Sequence, residues 1–574
     1  MIFHDLIKFD DAYNLIKNNL KKINNYEKIE LKNANGRISY DDVYSINNLP
    51  LFSRSQVDGY AIIASDIKNA NYNNPVKLEL AGETFIGEKA IKHPGNGKCI
   101  KVPTGGVIPI GADAMVPFED TGINDNIVTF YKSVKKFNEV SNSGIDVIRG
   151  EKIINRYTMI GPRYIAVLSS LGFDHINVFK KLKMGIISTG NELLYPGEKY
   201  IESKIYESNS ITIESELNRF NTFDVKNYGI IKDDYDLIKE KIDSSIKEND
   251  ITITIGSTSA GDKDMVYKIL NTYNPGIIFH GVRVKPGKPV VFAKDNEKII
   301  FGLPGFPVSS MMILYSLVIP NLFNMLNCEY KTISVNAKTM ERFELHNGNT
   351  DLLLIKLLKK NSNYYAYQVR GNSGSISRIM KAGGFSIINS ESDFMEKYNY
   401  VNVNLFDHNI ADILILGQYS PFIENLPYNI RQKSIFVESG YNEILRSMEN
   451  DEADVYIYNY TEPLNNANYE KIEMELPYVL IYNNKNIKSM ALLYKGSGLY
   501  EYSCKYKESE NIIYLDNGSV IADYVKNNRC DGGITYKKYA DEYSLNYDTL
   551  GNVKFLFYIN KKSEYYNELK NAIK

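Results

Sequence analysis

The chain has 574 residues, of which 44% are hydrophobic, 24% charged and 12% aromatic, a globular composition that excludes a disordered, collagenous or low-complexity protein. At roughly 150 residues per domain, that length makes about four domains. Lys plus Arg number 67 against 69 Asp plus Glu, and the net charge of −2 gives no general electrostatic drive toward nucleic acid or an anionic membrane.

The cysteines Cys99, Cys328, Cys504 and Cys530 lie far apart and form no CxxC pair. They read as inert thiols in a reducing compartment rather than as a disulfide framework or zinc site. Residues 1–22 scatter charges among their apolar side chains, unlike a signal peptide. The longest apolar stretch, 308–319, stops at Pro320, short of the ~18 residues a membrane span needs. A soluble, cytoplasmic chain is expected.

In chain order, Leu6, Phe9, Tyr13, Ile16 and Leu20 recur at steps of three and four, and the first forty residues read as helix. From 49 to about 140, short β-prone runs (77–80, 99–102, 127–130) punctuated by Gly and Pro predict a small β domain. Ile165, Leu168 and Leu171 then mark a helix leading to Gly172. Between 183 and 326 the pattern alternates: MGIIST a strand, a helix capped by Ser208 or Asn209, VKNYGII a strand, DDYDLIKEKIDSSIKEN a helix, ITITIG a strand. Ile- and Val-rich strands alternating with amphipathic helices predict a parallel sheet covered on both faces, which binds ligands at the carboxyl ends of its strands. Strand-like runs return from 332 to about 406. A second α/β unit of roughly 165 residues follows, and no internal repeat is apparent.

Four loops carry the small and polar residues such a site needs: STGNEL (188–193), IGSTSAGDKD (255–264), VKPGKP (284–289) and GLPGFPVSS (302–310). Small residues let backbone N–H groups approach an anion, hydroxyls add donors, and a helix start adds its dipole. Lys285 and Lys288 add positive charge, while Asp262 and Asp264, with Asp250 ahead of the strand, are candidates to hold a divalent metal. Each loop alone also reads as an ordinary turn, and DKD as a solvated helix start. Four together point to a phosphate- or oxyanion-binding enzyme.

SRSQVDGYAI (53–62), PTGGVIPIGADAMV (103–116), STGNEL, HGVRVKPGKP (280–289) and GLPGFPVSS, in this order and spacing, resemble the molybdopterin molybdenumtransferase (MoeA) family, gephyrin E-domain relatives included, over residues 1–406. The resemblance implies a multidomain α/β protein: a helical linker region (1–45 and 141–176), an inserted β domain (46–140), an α/β molybdopterin-binding domain (177–326) and a small β domain (327–408). It implies insertion of molybdate, or tungstate, into adenylylated molybdopterin with release of AMP, a divalent cation such as Mg2+ being present.

Lys285, Lys288 and Ser309 suit a doubly charged oxyanion, and Asp250, Asp262, Asp264 and Glu192 are the carboxylates for pyrophosphate cleavage, with Asp262 and Asp264 as metal ligands. Thr189 and Gly190, then Gly256, Ser257, Thr258 and Ser259, and Pro304 with Gly305 are the expected substrate-binding loops, joined by Ser373 and Ser375 of GNSGSISRIMKAGGF. Family members act as homodimers in which the β domain of one subunit closes over the pterin site of the other; Asp58 and Thr104 match functional positions there, although both also read as turn residues. Contacts with other cofactor-biosynthesis proteins are a further expectation.

The chain departs from the family pattern at four positions. Asn191 stands for Asp in STGDEL, Lys152 for Asp in GED, Phe306 for Asn in GLPGNP, and Asn349 where many members carry Arg. Residues 409–574, with KGSGLYEY (495–502) and RCDGGITY (529–536), resemble the periplasmic-binding-protein-like domain fused to some members, and Gly496, Ser497 and Gly498 read as an anion loop or a tight turn. The main expectation is a molybdenum insertase. The alternative is a catalytically degenerate pterin- or oxyanion-binding sensor or scaffold with a ligand-binding C-terminal domain.

Overall fold

The structure, a computed structural model, describes residues 6–573 except 257–264, 408–409, 460–465, 494–498, 504, 506–510 and 516. The chain falls into two compact units: Met1–Val282 with Pro289–Gly305 and Ser310–Tyr330, and Arg283–Lys288 with Phe306–Ser309 and Lys331–Lys574.

The first unit opens with a helix, Phe9–Asn19, that buries Phe9, Ala12 and Ile16. The expected forty-residue helical start ends there. Residues 26–30 (YEKIE) alternate in exposure and form a strand, Tyr26–Glu30, that pairs antiparallel with His175–Phe179. Period-two burial overrides helix propensity in that short segment. The expected helical linker is therefore mixed: the second helix, Pro162–Ser170, is capped by Gly172 at positive φ, and Val43–Tyr44 pairs with Lys152–Ile154.

The β domain within this unit is a six-stranded sheet ordered Ala114–Pro117, Gly59–Ile62, Lys98–Val102, Val76–Glu83, Ile127–Phe130, Thr121–Asn124. Tyr60, Ile62, Leu78, Cys99, Val116 and Phe130 form its core.

The second sheet of this unit carries the site. Its order is Phe223–Ile231, Leu182–Thr189, Ile251–Ile255, Lys298–Leu303, Val291–Asp295, Pro275–His280, the first four parallel and the last two antiparallel. Strand 251–255 is buried along its whole length, as a central strand covered on both faces must be. Helix Tyr235–Glu248 packs Ile238, Ile242 and Ile246 against Ile187, Val266, Ile269, Val291 and Ile300. Each such side chain contributes about 1.5–3 kcal/mol through burial.

The apolar stretch expected to end at Pro320 continues as helix: Pro307–Ile313, a π turn Leu314–Val318, then Ile319–Met325. Pro320 has no N–H for the carbonyl of Ser316, and the wider turn ahead of it absorbs the lost bond. By length and composition this 19-residue helix would cross a membrane, but 83% of its apolar window is buried inside the protein. Among the described residues it is a core helix.

In the second unit, a six-stranded sheet is built from Val284–Lys285, Thr350–Lys360, Asn363–Gln368, Ser334–Thr339, Tyr400–Leu405 and Gly384–Asn389. An eight-stranded sheet follows. Two parallel triads, Ile413–Gly417 with Ser434–Glu438 and Val455–Tyr458, and Ser489–Leu493 with Asn511–Leu515 and Gly532–Tyr536, flank two long antiparallel strands, Tyr469–Tyr482 and Asn546–Asn560. Tyr456, Tyr458, Tyr539 and Tyr558 are fully buried there. Tyr456 satisfies its hydroxyl by donating to the Ser447 carbonyl at 2.8 Å and accepting from the Ala453 N–H at 3.0 Å.

Candidate functional site

Three neighbouring parallel strands of the first unit, 182–189, 251–255 and 298–303, bring Thr189 and Gly190, Gly256, and Pro304 with Gly305 to one edge. The Gly256 N–H donates to the Leu303 carbonyl at 3.1 Å, and the Thr189 hydroxyl donates to the Ile255 carbonyl at 3.3 Å. Gly256 holds φ +89°, and a Cβ there would lie 2.6 Å from the Thr189 carbonyl oxygen. A Cβ on Gly305 would lie 3.7 Å from the Gly256 Cα. The three chain ends are thus packed backbone to backbone at the carboxyl edge of the sheet, the place where α/β sheets bind ligands. Asn209 ties the outer loop by donating to the Gly305 carbonyl at 2.7 Å.

One residue of this edge escaped the sequence reading. Glu207 is 5% exposed and takes three bonds: from the Ser188 hydroxyl at 3.0 Å, the Ser210 N–H at 2.7 Å and the Ser210 hydroxyl at 2.8 Å. Its carboxylate, not a side chain of Ser208 or Asn209, satisfies the first turn of the helix Asn209–Asn218 and anchors it to the strand end. A Glu three residues ahead of a Ser at a helix start is the signal that would have found it.

Glu192 is exposed beyond Gly190. Asn191 closes a reciprocal pair with Asp233: its N–H donates to the Asp233 carboxylate at 3.1 Å, and its side-chain oxygen accepts the Asp233 N–H at 3.2 Å. An amide is neutral beside that carboxylate, whereas Asp at 191 would place two like charges together.

In the β domain, Asp58 and Thr104 come together. The Thr104 N–H donates to the Asp58 carboxylate at 2.8 Å, and both residues are exposed on loops joined by Gly105 N–H to Ser55 carbonyl and Ser55 N–H to Gly106 carbonyl bonds. Lys152 is engaged elsewhere, donating to Asp42 at 2.7 Å; that bond, with the Arg156 N–H, holds the Asp42 carboxyl below its usual range.

The second unit carries the cationic residues. Lys285 and Lys288 are exposed, and Lys285 Nζ lies at hydrogen-bond distance from Nε2 of His346, a residue the sequence reading did not single out. Ser309 is buried near the start of the helix from Pro307, whose Val308 N–H donates to the Ser373 carbonyl at 3.1 Å. Ser373 is half-buried and Ser375 exposed. Phe306 is 62% exposed, beside Gly374. Asn349 donates to the carbonyls of His346 and Asn347, closing its own turn.

Asp250 is not part of the strand-end edge. It precedes the amino end of its strand, accepts the Lys183 N–H at 3.1 Å and lies 3.7 Å from Lys298. Five strand residues, and so about 20 Å, separate it from Gly256. Ser257, Thr258, Ser259, Asp262 and Asp264 lie outside the described residues. Among the described residues no three His, Cys, Asp or Glu side chains form a metal-holding group. The described residues thus do not by themselves make a divalent-cation site.

Residues 7–172 match the family described as "MoeA N-terminal region (domain I and II)", and 185–324 match "Probable molybdopterin binding domain". The chain is 32% identical over 387 residues to a molybdopterin biosynthesis protein of Methanocaldococcus jannaschii, covering 66% of this chain and 92% of that one. A molybdopterin molybdenumtransferase of Haemophilus influenzae is 30% identical over 295 residues, covering 51% of this chain and 71% of its own. The crystal structure of a molybdopterin biosynthesis MoeA protein from Pyrococcus horikoshii superposes with a TM-score of 0.61 at 28% identity, over 70% of this chain and all of that one. With these matches spanning the glycine-built edge, the Asp58–Thr104 pair and the lysine segment, the chain belongs to the MoeA family of molybdopterin molybdenumtransferases.

Proposed function

We propose that this member of a molybdenum cofactor biosynthesis family inserts molybdate, or tungstate, into adenylylated molybdopterin and releases AMP. The observation that carries the reading is the edge formed by Thr189, Gly256 and Gly305, where a Cβ at Gly256 would lie 2.6 Å from a neighbouring carbonyl. Such an edge carries no side chain at Gly256 and Gly305 that would keep a pterin from close approach. Lys285 and Lys288 supply fixed positive charge for the oxyanion, and the Ser309, Ser373 and Ser375 hydroxyls add donors. Glu192 and the Asp58–Thr104 pair are the groups assigned to orient the phosphate that leaves with AMP. A divalent cation belongs to this reading through Asp262 and Asp264.

The same reading makes the protein a cytoplasmic homodimer whose sites take Asp58 and Thr104 from the partner subunit. Buried, free thiols support a reducing compartment: burial pushes Cys99 up to about 12 and Cys530 up to about 11, which keeps them unreactive. We assign residues 409–574 to a periplasmic-binding-protein-like domain, a reading supported by the two parallel triads flanking a pair of long antiparallel strands. Partners among other cofactor-biosynthesis proteins are part of the proposal.

The test is incubation of the purified protein with adenylylated molybdopterin, molybdate and magnesium. AMP release that depends on molybdate is expected. Pterin binding without turnover would replace the insertase by the sensor or scaffold.

A further inference from the structure

In the second unit, three side chains form a relay. Asp351, on the strand Thr350–Lys360, is buried, its side chain 1% exposed. Its carboxylate takes three bonds: from the His346 N–H at 2.8 Å, the Ser390 hydroxyl at 2.5 Å and His346 Nδ1 at 2.7 Å. An ionised carboxylate only accepts, so the network assigns the proton to Nδ1 and leaves Nε2 with the lone pair in the neutral ring. Nε2 meets the ammonium of Lys285, which only donates. The backbone holds this arrangement in register: Lys285 sits opposite Asp351 in a parallel ladder, and the Thr350 N–H donates to the Arg283 carbonyl at 2.9 Å.

We propose that His346, oriented by Asp351, is a positioning residue for Lys285, taking one ammonium proton at Nε2 and aiming the other two at the oxyanion substrate. This rests on the insertase reading above. Charging the imidazole turns the Lys285 contact into a meeting of two cations, and the lysine leaves its position. Oxyanion affinity therefore falls as the ring protonates. Among the described residues, the charged groups in contact with the ring are Lys285 and Asp351; Asp393, on the adjoining loop, is engaged by the Asn347 N–H at 3.2 Å.

Full-length wild type, His346→Ala and His346→Gln are compared in two measurements. In the first, AMP release is followed against molybdate concentration and pH. The KM for molybdate is expected to rise about tenfold in H346A, with kcat changed by less than about twofold. H346Q, whose amide oxygen can accept the same bond, recovers most of that loss and lacks the acid rise in KM seen in wild type. An unchanged KM in H346A, or an acid rise that persists in H346Q, would overturn the proposal.

The second measurement needs no turnover: acylation of Lys285 and Lys288 by an acetylating reagent, read by peptide mass spectrometry. Lys285 is expected to label several-fold faster in H346A than in wild type, with Lys288 unchanged. Equal Lys285 rates overturn the proposal. A wild type that releases no AMP but shields Lys285 from labelling sinks the insertase reading and leaves the His346–Lys285 link standing.

Discussion

Two sets of parallel strand ends in this chain meet the same topological situation with opposite chemistry. In the sheet of residues 182–303, the ends finish in Gly190, Gly256 and Gly305, of which Gly190 is buried, Gly256 half-buried and Gly305 exposed, and backbone packs on backbone with no side chains between. In the triad of 413–417, 434–438 and 455–458, the ends are closed by side chains. The Gln418 N–H donates to the Ile457 carbonyl at 2.8 Å, and its amide oxygen accepts from the Asn459 N–H at 2.9 Å. Beyond it, the hydroxyls of Tyr419 and Tyr539 and the ammonium of Lys538 all converge on Glu424. Burial drives both tyrosines above their ordinary range, so they stay neutral donors. A shared α/β layout thus leaves function to the residues at the turns, and the two edges differ in whether glycines or polar side chains close them.

The sharpest way to break this comparison is to give the first edge a side chain. Gly256→Val places a branched Cβ against the Thr189 carbonyl at a φ of +89°; AMP release should fall more than about a hundredfold and stability by about 2–4 kcal/mol, read by turnover and thermal unfolding. A Val variant with wild-type turnover would remove the glycine edge from the site.

The next test asks whether the first edge is completed by a second subunit. Asp58→Ala and Lys285→Ala should each be nearly inactive alone, yet an equal mixture refolded together should regain about a quarter of wild-type activity through mixed dimers with one intact site. No recovery would place all the site residues in one chain.

In the second unit, Asp454 is 4% exposed and accepts from Leu414 N–H at 2.8 Å, Ser563 hydroxyl at 2.7 Å and Lys360 at 2.7 Å. Asp454→Ala leaves these donors unpaired and should cost about 2–4 kcal/mol in denaturant unfolding, with little change in pterin affinity. A loss of pterin affinity equal to the loss of stability would show that the two regions do not divide their labour.

The smallest effect lies at Glu424. Burial opposes its charge most, but the bonds from Lys538, Tyr419 and Tyr539 together hold its carboxyl below the usual range. A lowered carboxyl stabilises the folded protein above the unfolded value of ~4.3, and that stabilisation disappears as pH falls through the folded value. Glu424→Gln should therefore cost about 0.5 kcal/mol at pH 7, discounted for its partial exposure, and the gap to wild type should close in acid. A gap that widens in acid would contradict the assigned sign.

Much of the fold was legible because it rests on local pattern. Alternating Ile- and Val-rich strands and amphipathic helices between 183 and 326 dictate a covered parallel sheet, and the helix Tyr235–Glu248 follows from its spacing and the Asp234 cap, which accepts from Asp236 and Leu237 N–H groups. The early helix was over-read because residues 26–30 belong to a ladder whose partner lies almost 150 residues away. The extent of the long strands 469–482 and 546–560 was equally hidden, since their pairing is non-local.

By themselves, the residues determined the fold class, the glycine and lysine loops and the resemblance that those motifs carry. Only the tertiary structure decided that Asp58 meets the Thr104 backbone, that Asp250 lies at the far end of its strand, that Glu207 braces the edge and that Asp351 turns His346 toward Lys285. A motif records which donors and acceptors are present along the chain. Which of them pair depends on strand order and register, and those are set by burial and hydrogen bonding between segments far apart in sequence.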